Sequence, residues 1–392
     1  MNTIEGPSVH VEIFDTTMRD GAQALPEGNQ FSEGSKVVIA EHIARLGVGV
    51  IEAGFPATPS DGEEVAAVAE SVGRQAYDVA HWRDGRAEAV RQVPVIAGLS
   101  RTTEGDIEAT WKSIHSAIRP RIHTFVSTDD EHMRAKFPGK TPDEVRDMGI
   151  RAVSFARAMT EEHDGASVEF SAEAASTTNR DYLERIIKDA VGAGADVINV
   201  PDTVGQRDPF FMYQFYRNVI RWVTESNPDV AISAHNHNDL DNAAANSLAL
   251  VRAAADHATV TQNSVKVQIE TAICGLGERA GNADVFPVVA GLFKFAPDYV
   301  VPTNWHFNPR LAVATARAVM GQAGLPVDRQ SPIVGEDTNV HRSGIHSDGV
   351  IKGGHRIYTP HDPTFWGHSK NAVHEEGKYQ GKAGRAAAQV SG

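Results

Sequence analysis

His235 and His237 close the apolar run "AISAHNHNDL" (231–240) with one residue between them. On an extended strand that spacing turns both imidazoles to the same face, where their nitrogens can enter adjacent coordination positions of one cation. Two polar residues at a strand edge would produce the same pattern. "TTMRDG" (16–21) poses a similar choice. Asp20 is either the third ligand of such a site or the acid of a turn, bonding nearby amides while Gly21 supplies the bend. A His2Asp set leaves positions open for a chelating substrate and water. That donor mix suits a catalytic Zn2+, Mn2+ or Mg2+ rather than a closed structural zinc.

Other charged residues interrupt apolar surroundings. Glu52 follows "VGVI" and is expensive to bury alone, so Arg19 is its expected partner. "GLGERAGN" (275–282) is glycine-rich with an adjacent charge pair, Glu278 and Arg279; it reads as an anion cradle or as a tight turn. His346, in "SGIHSDG", is a lone loop histidine with a surface reading beside a catalytic one.

These residues need a scaffold that brings distant segments together. Short β-branched runs at 9–17, 48–56, 93–100, 121–128, 166–173, 196–203, 229–237 and 265–273 read as eight strands. Between them, segments such as "DYLERIIKDAVGAG" repeat apolar residues at three and four, and several end in glycine as a helix C-terminus should. Near-continuous apolar strands imply burial on both faces. The expected fold is therefore a (β/α)8 TIM barrel, with a doubly wound open sheet as the alternative.

In such a barrel chemistry gathers at the strand C-termini. There the chain carries Arg19 and Asp20, Glu52, His123 and Thr128, Glu169, Asp202 and Thr203, His235 and His237, and then the glycine-rich stretch. The rhythm stops near the Pro-containing "FAPDYVVPTNWHFNP", so residues 1–300 are expected to form the barrel domain. Residues 301–392 should form a smaller, mainly helical and irregular C-terminal subdomain that contributes to the active site.

A chain of 392 residues can bury a large core, and its formal charge of −14 disfavours nucleic acid and anionic membrane as partners. It contains no apolar run of membrane-spanning length. The N-terminus lacks a signal pattern, and the one cysteine, Cys274, cannot pair internally, so a cytoplasmic enzyme is expected.

Taken together, "DTTMRDGAQ", "IEAGFPA", "RIHTFVST", "VEFSAEAA", "NVPDTVG", "HNHNDL", "GLGERAGNA" and "SGIHSDG" occur in one order. Over roughly residues 10 to 350 the chain resembles the alpha-isopropylmalate/homocitrate synthase family of the DRE-TIM metallolyases, and within it the 2-isopropylmalate synthases. The resemblance implies that Asp20, His235 and His237 bind a divalent metal, with Asn282 as a fourth or water-bridged ligand. It implies that Arg19 faces the substrate carbonyl and that Thr203 holds the 2-oxo acid carboxylate, with His123 and Glu52 beside the substrate. Glu169 and His346 resemble the proton-transfer groups; a base near neutral pKa suits a histidine oriented by a carboxylate, which favours His346 with Glu169 orienting it directly or through water and leaves open which of the two takes the proton.

The implied reaction joins acetyl-CoA, the co-substrate, to a 2-oxo acid, 2-oxoisovalerate first, in leucine biosynthesis. Citramalate, homocitrate and other alkylmalate synthases are rivals, and a carbon–carbon lyase on the same barrel is a further one. A homodimer is expected, with His346 acting in cis or in trans. The chain stops where such synthases continue into a leucine-binding regulatory domain, so no feedback inhibition by leucine is expected.

Two departures from the pattern are Ala22, where relatives carry an acidic residue, and Cys274, where asparagine is common. Residues 74–92 and 256–265 read as insertions on the N-terminal face, serving assembly or stability.

Overall fold

A computed structural model describes residues 6–32, 34–83 and 85–375. The chain divides into two compact units, with the division between Phe307 and Asn308.

In the first unit the strands are β1 (Val9–Asp15), β2 (Val50–Gly54), β3 (Tyr77–Arg83), β4 (Arg86–Gln92), β5 (Val95–Ser100), β6 (Pro120–Ser127), β7 (Ser167–Glu173), β8 (Val197–Asn199), β9 (Ala231–His235), β10 (Val265–Thr271) and β11 (Thr303–His306). β1, β2 and β5 to β10 are parallel neighbours in sequence order, and β10 returns to pair with β1 from Val9↔Val265 to Asp15↔Thr271. The sheet is closed, so the TIM barrel expected from the alternating pattern forms and the open doubly wound sheet does not.

Helices α1 (Ser35–Leu46), α2 (Pro59–Ser71), α3 (Glu104–Ile114), α4 (Asp130–Lys136), α5 (Pro142–Thr160), α6 (Arg180–Gly192), α7 (Pro209–Ser226), α8 (Ala243–Thr261) and α9 (Val285–Phe295) fill the connections. α6 shows why they form. Leu183, Ile186, Ile187, Ala190 and Val191 are buried at helical spacing, and Asn179 caps the first turn by accepting from the amides of Asp181 and Tyr182. α5 begins with Pro142 in its first turn and a reciprocal Thr141–Glu144 capping box. α1 ends at Gly47, whose φ of 97° only glycine adopts without strain.

The stretch 74–92 forms the β3–β4 hairpin. β3 pairs antiparallel with β11, and β11 adds to the start of β1 at Val9↔Thr303. β1 can hold both β11 and β2 because they use different halves of it: β2 pairs only at Phe14 and Asp15. This pairing carries the first unit on to Phe307, through most of the Pro-containing stretch.

Residues 256–265, read as an insertion, are partly helical. α8 runs through Thr261 and closes on Gln262 at φ 60°, so most of that stretch is the last turns of a helix.

The second unit contains α10 (Ala312–Gln322), the short parallel pair β12 (Val340–His341) and β13 (Val373–His374), and α11 (Gly344–Gly353), with Trp366 buried. It is helical with irregular connections. Among the described residues no helix is long and apolar enough to cross a membrane.

Candidate active site

Period-two alternation decides what enters the barrel. On β6, Arg121, His123 and Phe125 share the inward face. In register with them on β7 stand Ser167, Glu169 and Ser171. β9 contributes Ser233 and His235, and β10 contributes Gln268 and Glu270 beside them. Many TIM barrels fill these layers with branched apolar side chains. Here they hold a continuous polar network, which is costly unless each group is satisfied.

Several deep members of the network are fully partnered. Glu52 accepts from Thr16 Oγ1 at 2.7 Å and from Arg19 Nε at 2.6 Å, and the His123 ring lies 2.7 Å away through Nδ1. Burial would raise the Glu52 pKa, but Arg19 and His123 hold it well below the usual carboxylate range. Glu52 therefore holds Arg19 and His123 and is not among the residues lining the cavity at the strand ends, beside which sequence reasoning had put it. The salt bridge to Arg19 is the reading that the geometry bears out. His123 is itself buried, which opposes its proton, yet the charges of Glu169 and Glu52 outweigh that and push it up to about 9. As an imidazolium it donates on both sides, to Glu52 and to Ser171 Oγ at 2.7 Å.

At the C-terminal ends of the strands lies a cavity of about 360 Å³ whose lining includes Arg19, Asp20, His123, Thr203, His235 and His237. A larger groove, about 970 Å³, lies at the other ends of β9 and β10 among Arg217, Asp256 and His257, and none of the chemistry-bearing motifs reaches it.

Asp20, His235 and His237 each bring a ligand atom within 4.8 Å of the others. The two Nε2 atoms face each other at 3.2 Å. Two bonds of about 2.0 to 2.1 Å at a tetrahedral angle place their nitrogens about 3.3 Å apart, so the pair is spaced to share one ion. Burial pushes His235 down to about 4 and His237 down to about 3, so both rings are neutral near pH 7 and offer lone pairs. Burial works against the charge of Asp20 as well, but Arg19 at 3.0 Å and its other neighbours hold its pKa below the usual range.

Asn282 donates from its amide to Asp20 Oδ2 at 2.7 Å, while its own Oδ1 is buried without a partner. The glycine-rich stretch is built around this side chain. A Cβ on Gly277 would sit 2.2 Å from Asn282 Nδ2. A carboxylate and two neutral imidazoles converge, a donor set that fits a divalent cation, and the Asn282 that bonds the carboxylate carries an unpaired amide oxygen. Arg279 does not pair with Glu278 as their adjacency in sequence implies; it forks onto Asp239 with both contacts at 2.8 Å and donates to the Thr203 carbonyl.

Thr203 lines the cavity, its hydroxyl accepting from the Ala174 amide at 3.0 Å. Glu169 does not line it. It lies deeper, held by Arg121 at 3.1 Å and Gln268 at 2.8 Å, and burial pushes it up to about 7. The carboxylate of β7 that opens on the cavity is Glu173, which receives hydrogen bonds from Ser127 and from Lys136. Sequence reasoning passed over it, although it is the last residue of its strand, where barrels present their chemistry.

Glu270 was missed too. It is buried, lines the cavity and lies 2.8 Å from His235 Nδ1. His346 belongs to the second unit, exposed on α11, with its ring stacked on Tyr358 at 3.9 Å between centroids.

Comparison with known proteins fits this geometry. The model of the HMGL-like family matches residues 10–308. A 2-isopropylmalate synthase of Pyrococcus furiosus is 37% identical over 95% of this chain and 66% of its own length. Methylthioalkylmalate synthase 1, chloroplastic, of Arabidopsis thaliana is 35% identical over 90% of this chain and 65% of its own length. The chain thus spans just under two thirds of the length of these relatives. Among solved structures, an HMG-CoA lyase from Acinetobacter baumannii in complex with coenzyme A and 3-methylmalate has a TM-score of 0.61 at 15% identity, covering 87% of this chain and 99% of that one. At that identity the likeness speaks for the shared barrel alone.

Proposed function

The chain belongs to the HMGL-like family, and from that membership we propose that it is an acyltransferase condensing acetyl-CoA with a 2-oxo acid. The favoured 2-oxo acid is 2-oxoisovalerate; its condensation, followed by thioester hydrolysis, gives 2-isopropylmalate and CoA. The observation that carries the reading is the convergence of Asp20, His235 and His237 beside Arg19 in one cavity. The 2-isopropylmalate synthase named among the relatives favours this substrate, and the methylthioalkylmalate synthase keeps longer 2-oxo acids as the rival.

Asp20, His235, His237 and Asn282 would hold a divalent metal, Zn2+, Mn2+ or Mg2+, which supplies Lewis acidity toward the oxo acid carbonyl. Arg19, fixed by Glu52 and Asp20, stabilises the negative charge that develops on the ketone oxygen as the new carbon–carbon bond forms. Thr203 and His123 orient the 2-oxo acid. The acetyl methyl group loses a proton to His346, a role that rests on the family resemblance of "SGIHSDG". Because Glu173 opens on the cavity, we assign to it the carboxylate part in proton transfer that sequence reasoning gave to Glu169. Water then cleaves the thioester, releasing CoA as the thiol. A cytoplasmic homodimer completes the reading, also by resemblance.

The test is incubation of metal-loaded protein with acetyl-CoA and a panel of 2-oxo acids, following free thiol and product mass. Fastest turnover with 2-oxoisovalerate supports the proposal. A preference for pyruvate, 2-oxoglutarate or a methylthio oxo acid keeps the chemistry and changes the product. Turnover with none of them, together with cleavage of a hydroxyacyl thioester, would replace the synthase with a lyase.

A further inference from the structure

Glu270 has no part in the reaction as derived above, yet its surroundings are demanding. It stands on β10 directly beside His235 of β9, the two being register partners in the parallel ladder. Its side chain is inaccessible to solvent, and Oε2 lies 2.8 Å from His235 Nδ1. The two atoms are close but not aligned as a hydrogen bond, so Nδ1 of His235 is buried without a formed partner, and the Glu270 oxygens have only the neighbouring Glu169 carboxyl beside them and no well-aligned donor. Buried polar atoms left so are expensive. The other carboxylates of the network are saturated: Glu52 by Thr16, Arg19 and His123, Glu169 by Arg121 and Gln268.

The opposite edge of the same imidazole explains the arrangement. Nε2 of His235 faces His237 Nε2 at 3.2 Å. An imidazole that presents a lone pair on Nε2 carries its proton on Nδ1. A carboxylate at Nδ1 selects that tautomer, fixes the ring plane and raises the basicity of the far nitrogen.

We propose that Glu270 is a positioning residue that holds His235 in the Nδ1–H tautomer, so that the His235 and His237 Nε2 atoms are presented together to a cation. The inference deepens the metal reading given above and rests on it. It assigns a partner to one ligand only: His237 Nδ1 is buried with no partner at all, so the two histidines are not equivalent. His235 is the oriented ligand and His237 the adaptable one.

The experiment measures metal affinity rather than turnover. Wild type, Glu270→Leu and Glu270→Gln are stripped and titrated with Zn2+ against a chromophoric chelator, with far-UV circular dichroism reporting the fold. Wild type is expected to bind one equivalent. Glu270→Leu should bind roughly 10- to 100-fold more weakly, the range typical of losing such an outer partner. Glu270→Gln keeps an acceptor oxygen but loses the charge, and should fall between the two, at least about threefold weaker than wild type. A purely structural role would lower thermal stability and leave the affinity of the folded protein unchanged. Wild-type affinity in a folded Glu270→Leu protein overturns the inference. Should that variant not fold, an unchanged affinity in Glu270→Gln overturns it equally. A wild-type protein that binds no metal would instead bring down the metal reading beneath it, which separates the two failures.

Discussion

His235 and His237 turn their Nε2 atoms toward each other at 3.2 Å, with the Asp20 carboxylate beside them. Two neutral imidazoles so placed bring two lone pairs together unless a proton or a cation lies between, and the pair therefore has something to gain from an ion.

His237→Ala removes one of those lone pairs. Metal bound per chain should fall below one equivalent, and thiol release should drop by at least about 100-fold, since a Lewis acid contributes several kcal/mol. Metal analysis after dialysis, beside the activity, checks this. Full activity in a metal-free His237→Ala protein would sink the metal proposal.

Arg19 has two duties, and they can be separated. Arg19→Met should cost about 100- to 1,000-fold in kcat by removing charge stabilisation. It should also cost roughly 3 kcal/mol of stability, because Glu52 is buried and loses its guanidinium. Adding Glu52→Gln should restore stability without restoring activity. Urea denaturation of the single and double variants decides the point; recovery of both together would mean that Arg19 serves the fold alone.

Two carboxylates of β7 are distinguished by depth. Glu173→Gln should lower kcat by about 100-fold or more, the scale of a lost proton-transfer group. Glu169→Gln, away from the cavity, should stay within about tenfold of wild type on that scale. The reverse order would return the catalytic assignment to Glu169.

Asp15 offers a pH test at a group that is not one of the proposed metal ligands. It is fully buried, and burial pushes it up to about 7, against hydrogen bonds from Thr17. A carboxyl whose folded pKa is raised binds more protons in the folded state. Its contribution is therefore fully present below the unfolded value near 3.8 and is lost as pH rises through about 7. Asp15→Asn removes this dependence. Relative to wild type it should gain stability between pH 4 and pH 8, by up to roughly 4 kcal/mol. Parallel urea curves at the two pH values measure the difference, and an equal gap at both would refute the shift.

Local pattern carried much of this protein. Eight apolar runs alternating with helical segments determined a parallel sheet covered on both faces and favoured a closed barrel, while the pairing of β10 with β1 decided against the open sheet. The period of two determined that Arg121, His123 and Phe125 share one face, and that His235 and His237 do. Asp20 of "TTMRDG" was legible as their partner, since closure brings β1 beside β10, which in turn neighbours β9.

What sequence could not decide was depth and neighbour. Parity places Glu169 and Glu173 on the same face, and only the register of β7 against β6 and the length of the strand put Glu173 at the mouth and Glu169 beneath it. Glu270 looks like any acid in "VKVQIET" until the ladder sets it against His235. Adjacent Glu278 and Arg279 looked paired, but the loop carries Arg279 to Asp239 instead. Residues 256–265 gave no sign of how far the preceding helix runs, and α8 continues through Thr261. The common reason is that a residue's face follows from its own strand, whereas its height in the barrel and its partner follow from segments tens of residues away.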